Sequence, residues 1–133
     1  MRKLIFAAAA VAALAGPGAL QARERLTGEQ ELAKLLQGRV AEKPVSCIPL
    51  MTTNDSQIIN KTAIVYGRGN VIYVNRPRDA RDLDRDDVMV TTLHTSQLCR
   101  LDVVRMHDRS SHMFSGFVGL EDFVPYRRVT ANN

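Results

Sequence analysis

Beyond its first 22 residues the chain has no apolar run of the roughly 20 residues that a membrane-crossing helix needs. The runs that remain, such as Ala63-Ile64-Val65-Tyr66 and Val71-Ile72-Tyr73-Val74, are short and stopped by glycine or polar residues. No transmembrane segment is expected there. Charge of one sign is missing too: removing Arg2 and Lys3 with the expected leader takes the formal net charge from +4 to +2. That balance, with acids scattered along the chain, gives no electrostatic case for nucleic acid. Histidine is scarce, and His107 and His112 stand five apart, one too many for a helical metal-binding pair. No metal and no cofactor are expected.

Motifs of catalysis are lacking as well. There is no Gly-x-Ser-x-Gly elbow. Gly67-Arg68-Gly69 begins like a phosphate-cradling loop, but Ile72 sits where the third glycine belongs and strand-like sequence follows, so it reads as a hairpin turn. The acidic run Asp82-Leu83-Asp84-Arg85-Asp86-Asp87 has alternate aspartates, yet a calcium loop counted from Asp82 requires Gly where Asp87 stands and Glu where Leu93 stands. Arg78, Arg81 and Arg85 nearly neutralise this segment, which reads as a solvated, salt-bridged loop. Cysteine is limited to Cys47 and Cys99, with no Cys-x-x-Cys pair and none beside the expected cleavage point to accept a lipid.

What is present begins with a leader. Arg2 and Lys3 precede an apolar stretch from Leu4 to Ala15, then Gly16-Pro17-Gly18 and Ala19-Leu20-Gln21-Ala22, the pattern of a secretory signal peptide. Ala13-Leu14-Ala15 matches the small-x-small rule more closely, but a cut there would split the segment too early. Residues 1–22 are therefore expected to be the signal and residues 23–133 a single secreted domain, periplasmic or released. In an oxidising compartment two cysteines read most simply as one disulfide, Cys47–Cys99. Closing a loop of about 50 residues removes denatured-state entropy worth roughly 4 kcal/mol in the chain-entropy model.

The predicted fold is α+β. Thr27-Gly28-Glu29-Gln30 fits a capping box, and Leu32, Leu35, Leu36 and Val40 recur on one face, which predicts an amphipathic helix over about 27–41. A curled antiparallel sheet of five or six strands is expected from about 45 to 126. Its clearest part is a hairpin, Thr62–Tyr66 and Val71–Asn75 around Gly67-Arg68-Gly69-Asn70. Leu98–Met106 reads as one strand in which Cys99, Leu101 and Val103 alternate with Arg100 and Asp102, placing Cys99 on the buried face.

Two basic clusters, Arg76 with Arg78 and Arg127 with Arg128, form the candidate binding surface, suited to anionic groups. The expected function is a non-enzymatic envelope binding or inhibitor-like module whose partner is an envelope protein or an anionic surface component. The alternative is a small hydrolase or nuclease using a single histidine, with His94, Arg105 and Glu121 as one conceivable trio.

Cys47-Ile48-Pro49-Leu50, Thr62-Ala63-Ile64-Val65-Tyr66, Tyr73-Val74-Asn75-Arg76-Pro77 and Ser96-Gln97-Leu98-Cys99 together resemble a family of small secreted proteobacterial proteins of unknown function, in which two cysteines bracket a hairpin in this way. The resemblance spans about Val45 to Arg128. It implies a periplasmic, disulfide-bearing single domain and supplies no catalytic residue. Mass spectrometry of the exported protein is expected to find a chain beginning at Arg23, two hydrogens lighter than its reduced mass.

Overall fold

The computed structural model describes residues 24–130, so the signal peptide expected over 1–22 lies outside the described residues. The first element is a single short helix set in from the chain's start, α1 (Gly28–Leu35). Thr27 caps it as a full capping box: its hydroxyl accepts from the Gln30 backbone N–H, and the Gln30 side chain accepts from the Thr27 N–H. The expected extension to about residue 41 is incorrect. Gly38 adopts φ +71°, a conformation that ends helices, and Arg39–Ala41 leaves as strand β1. Val40, which matched the helical spacing, is an exposed strand residue.

Nine further strands follow: β2 (Cys47–Pro49), β3 (Ser56–Ile59), β4 (Ala63–Tyr66), β5 (Val71–Asn75), β6 (Asp87–Thr91), β7 (Gln97–Cys99), β8 (Val103–Asp108), β9 (Phe114–Gly119) and β10 (Phe123–Arg128). In place of one curled sheet of five or six strands, the described residues form three antiparallel sheets, and none closes into a barrel. Their orders are β1-β10-β5-β4-β3, β2-β7 and β6-β8-β9. The hairpin β4–β5 is as expected, turning at Gly67–Asn70. Ser56–Ile59 forms the edge strand β3, entered from a 3-10 turn over Leu50–Asn54.

The layers follow from side-chain alternation along β4. All four of its residues are buried. Ala63 and Val65 pack with Leu32, Ile59, Ile72 and Val74 under α1, whereas Ile64 and Tyr66 join the core shared with β6-β8-β9 and β2-β7. The five-stranded sheet is thus covered on both faces: by α1 on one and by the two smaller sheets on the other. Tyr66 and Phe123 meet edge-to-face at 5.9 Å between ring centroids in the larger core.

Cys47 and Cys99 are directly opposed in β2–β7 and joined by a disulfide, while their neighbours Ile48 and Leu98 are buried in the larger core. Leu98–Met106 is not one strand. It breaks at Arg100–Asp102, where Leu101 takes φ +72°. The chain therefore passes from one sheet to another, and the expected alternation fails: Leu101 and Val103 are exposed. The reversal is held by the Asp102 carboxylate accepting from the Cys99 N–H at 2.7 Å and by the Leu120 carbonyl accepting from the Leu101 N–H.

An eight-residue helix is unstable alone in water. Docking of α1 rests on burial of Leu32, worth about 2 kcal/mol, and on ion pairs from Glu29 to Arg76 and from Glu31 to Arg85. Its N-terminus lies so close to the β3–β4 turn that a Cβ on Gly28 would strike the Thr62 hydroxyl and the Asn60 carbonyl. Gly28→Ala is expected to destabilise the protein by about 1–3 kcal/mol, and hydrogen exchange should speed in α1 before it does in β4 or β5.

Candidate functional site

The chain was expected to present Arg76, Arg78, Arg127 and Arg128 as its binding surface, and the structure does not gather these four into one patch. In the β5–β10 ladder Asn75 opposes Phe123 and Val71 opposes Arg127, so Arg76 and Arg127 lie at opposite ends. Three of the four are held by carboxylates. Arg76 grips both Glu29 oxygens, at 2.6 and 3.1 Å, and this hydrogen-bonded pairing holds the Glu29 carboxyl below its ordinary range. Arg78 donates to Glu121 at 2.5 Å, and Arg127 donates to Glu42. Arg128 instead faces Arg39 directly across β1–β10.

The histidines are similarly dispersed. His94 is exposed in the loop after β6, and His112 lies in the β8–β9 turn at φ +58°. His107, on β8, stacks edge-on against Phe114 at 5.9 Å. No hydrogen bond or ion pair among the described residues joins any two of His94, Arg105 and Glu121; Glu121 is engaged by Arg78. Among the described residues, five of the better-formed clefts have volumes of about 200 to 1260 Å³, and no histidine lines these five. Among the described residues no three His, Cys, Asp or Glu side chains converge as a metal site would need, and no helix is long and apolar enough to cross a membrane. The acidic loop is folded on itself: Leu83 is buried, the Asp84 carboxylate accepts from the Asp86 N–H, and Asp87 turns inward to accept from the Ser115 hydroxyl at 2.7 Å.

A different surface stands out. The inner face of β6-β8-β9 gives Val104, Met106 and Val118 to the core. Its outer face remains apolar although nothing in the described chain covers it. Register sets Val90, Arg105 and Phe117 side by side in one row and Val88, His107 and Phe114 in the next. Phe114 and Phe117 are 59% and 57% exposed, values at odds with the usual fate of phenylalanine. A register shift between Met106 and His107 leaves both rings on the outer face, with the extra residue, Ser115, donating its hydroxyl to Asp87.

The neighbouring end of this face is a cleft of about 200 Å³ lined by Leu101, Val103, Phe117 and the Arg78–Glu121 pair. Buried Asn75 fixes that end: its amide donates to the Glu121 carbonyl at 2.6 Å and its oxygen accepts from the Glu121 N–H at 3.2 Å. Of the four expected arginines, only Arg78 thus reaches the border of the apolar face. Leu101 is 64% exposed in a left-handed backbone conformation costing about 1–2 kcal/mol for a branched residue. Arg105, in the middle of the face, makes no ion pair among the described residues.

Sequence reasoning missed this surface because Val88-Met89-Val90 is apolar on both parities, which signals burial on two sides as readily as on one. Comparison of the chain with protein-family models, curated proteins and solved structures finds no match. The family resemblance therefore rests on its motifs alone.

The β8–β9 turn that orients Phe114 is organised by Asp108, whose Oδ1 accepts from the hydroxyls and backbone N–H groups of Ser110 and Ser111. These bonds, the Ser110 hydroxyl first, hold the Asp108 carboxyl well below its ordinary value of 3.8. A depressed carboxyl stabilises the fold above its unfolded pKa and loses that contribution as pH falls. Amide exchange at Ser110–Met113 should therefore accelerate as pH is lowered from about 4, after correction for intrinsic rates. Asp108→Asn should remove that pH dependence.

Proposed function

We propose that this protein is an exported, non-enzymatic binding module that docks an envelope protein on the outer face of β6-β8-β9. The observation that carries this reading is the exposure of Phe114 and Phe117 beside Val88, Val90 and Val103 on a face that none of the described residues covers. Contiguous apolar surface of this kind, rimmed by polar groups, is the usual mark of a protein interface. Aromatic and arginine side chains dominate interface energetics, and here Arg105 stands among the phenylalanines. The partner is accordingly an apolar surface bearing a carboxylate placed to meet Arg105. A second copy of this face would set Arg105 against Arg105, which argues against self-association through it.

Two further observations support the reading. Leu101 is a large apolar side chain kept exposed at the cost of backbone strain, and such strain concentrates at functional positions. The disulfide suits an oxidising compartment, as the leader expected over residues 1–22 does. The hydrolase alternative draws no comparable support. A catalytic histidine works from a cleft beside an orienting partner, and among the described residues His94, His107 and His112 do not line these five clefts.

The test is site-specific photo-crosslinking in the periplasm. A photoreactive residue at Phe117 or Val90 should capture one and the same protein, Gln37 on the α1 side should not, and Arg105→Glu should abolish the capture. Leu101→Asn should also weaken it while leaving the fold as stable or more stable by up to about 1 kcal/mol, since Asn tolerates the left-handed conformation. Equal capture from Gln37, or crosslinks only between copies of the chain, would overturn the assignment.

A further inference from the structure

A second, separate feature lies on the α1 side of the five-stranded sheet, past the last residue of the helix. A cleft of about 290 Å³ is floored by Leu35, Val65 and Ile72 and edged by Arg39, Arg68 and Arg128, with Asp55 as its one acid. Among the described residues seven arginines, from Arg68 to Arg127, are paired with carboxylates. Arg39 and Arg128 are not, and β1–β10 places them directly opposite each other. Like charges in that position repel.

Arg39 is nevertheless fixed in place. Its guanidinium donates to the Gly69 carbonyl at 2.8 Å and the Asn70 carbonyl at 3.1 Å, which orient it without neutralising it. Burial first, and then the charge of Arg128, make the Arg39 cation less favourable than an ordinary arginine. Two neighbouring forks with no anion between them, above an apolar floor, form a half-completed recognition site. Arginine forks match the paired oxygens of carboxylate and phosphate alike.

We propose that this cleft binds a small amphipathic oxyanion, a carboxylate or phosphate on a short acyl or alkyl stem, with the anion bridging Arg39 and Arg128 and the stem lying over Leu35, Val65 and Ile72. The site is independent of the docking face on β6-β8-β9 and stands or falls without it. Charge attracts the headgroup, and the apolar floor distinguishes an amphiphile from a free anion.

Isothermal titration of the purified protein with octanoate and octyl phosphate tests the assignment, with octanol, acetate and inorganic phosphate as comparison probes. Octanoate and octyl phosphate should bind, and octanol and acetate should bind at least about tenfold more weakly. Arg128→Gln should cost about tenfold in octanoate affinity, and Arg81→Gln, which does not line this cleft and is paired with Asp82, should cost nothing. Arg128 is exposed, so its replacement does not endanger the fold. In ligand-free protein at low salt Arg128→Gln should raise the melting temperature, and added salt should erase the difference. Acetate or phosphate binding as tightly as the alkyl probes would overturn the amphiphile site, as would an Arg128→Gln variant that binds octanoate normally or melts earlier than the parent. Binding to phosphatidylglycerol vesicles with no binding of octanoate or octyl phosphate would overturn it too, in favour of a membrane-surface contact.

Discussion

Burial of β4 on both of its faces is the constraint from which the rest of the architecture follows. A strand whose successive side chains point to opposite sides needs two covers when all of them are apolar. Ala63 and Val65 require α1, although eight residues would not hold a helix on their own, and Ile64 and Tyr66 require a second sheet. The second sheet carries the consequence for function. It has to offer one apolar face to Ile64, Tyr66 and Phe123, and strands as apolar as β6, β8 and β9 then present the remaining face to solvent.

Charge is distributed around this frame in two ways. Four arginines act as clasps between elements: Arg76 and Arg85 hold α1, Arg127 holds the segment after β1, and Arg78 holds the β9–β10 connection. Exposed pairs of this kind contribute little energy each, yet they set where the elements lie. Arg105 and the Arg39–Arg128 pair are left out of that scheme. An uncompensated cation among phenylalanines and a facing pair of cations over aliphatic side chains are local conflicts, and in an otherwise consistent fold such conflicts collect where a ligand belongs.

Much of the local structure was legible in the sequence and little of the candidate site was. The Thr27 cap, the β4–β5 hairpin and the pairing of Cys47 with Cys99 depend on neighbouring residues, or on there being only two cysteines. The failures were non-local. Val40 kept the helical period of Leu32 and Leu36, but an open sheet edge beside Arg127 recruits it into β1. Leu98–Met106 kept the period of a strand, and only contacts made far along the chain, Cys99 with Cys47 and Val103 with Gly119, show that it serves two sheets. The arginine clusters were visible as composition, whereas the carboxylates that neutralise most of them come from distant positions such as Glu29, Glu42 and Glu121. The exposed phenylalanines depend on a one-residue register shift, which no periodicity displays.

The place of β10 bears on how such a chain assembles. The last strand in sequence lies inside the main sheet, between the first strand and β5, and it also meets Val45 through an isolated bridge at Phe123. A chain emerging N-terminus first, from a ribosome or through a translocation pore, cannot close this sheet until its final strand is released. Until then β1 has no neighbour and one edge of β5 is open, so the five-stranded sheet is completed only in a late step, after the smaller ladders have all their strands.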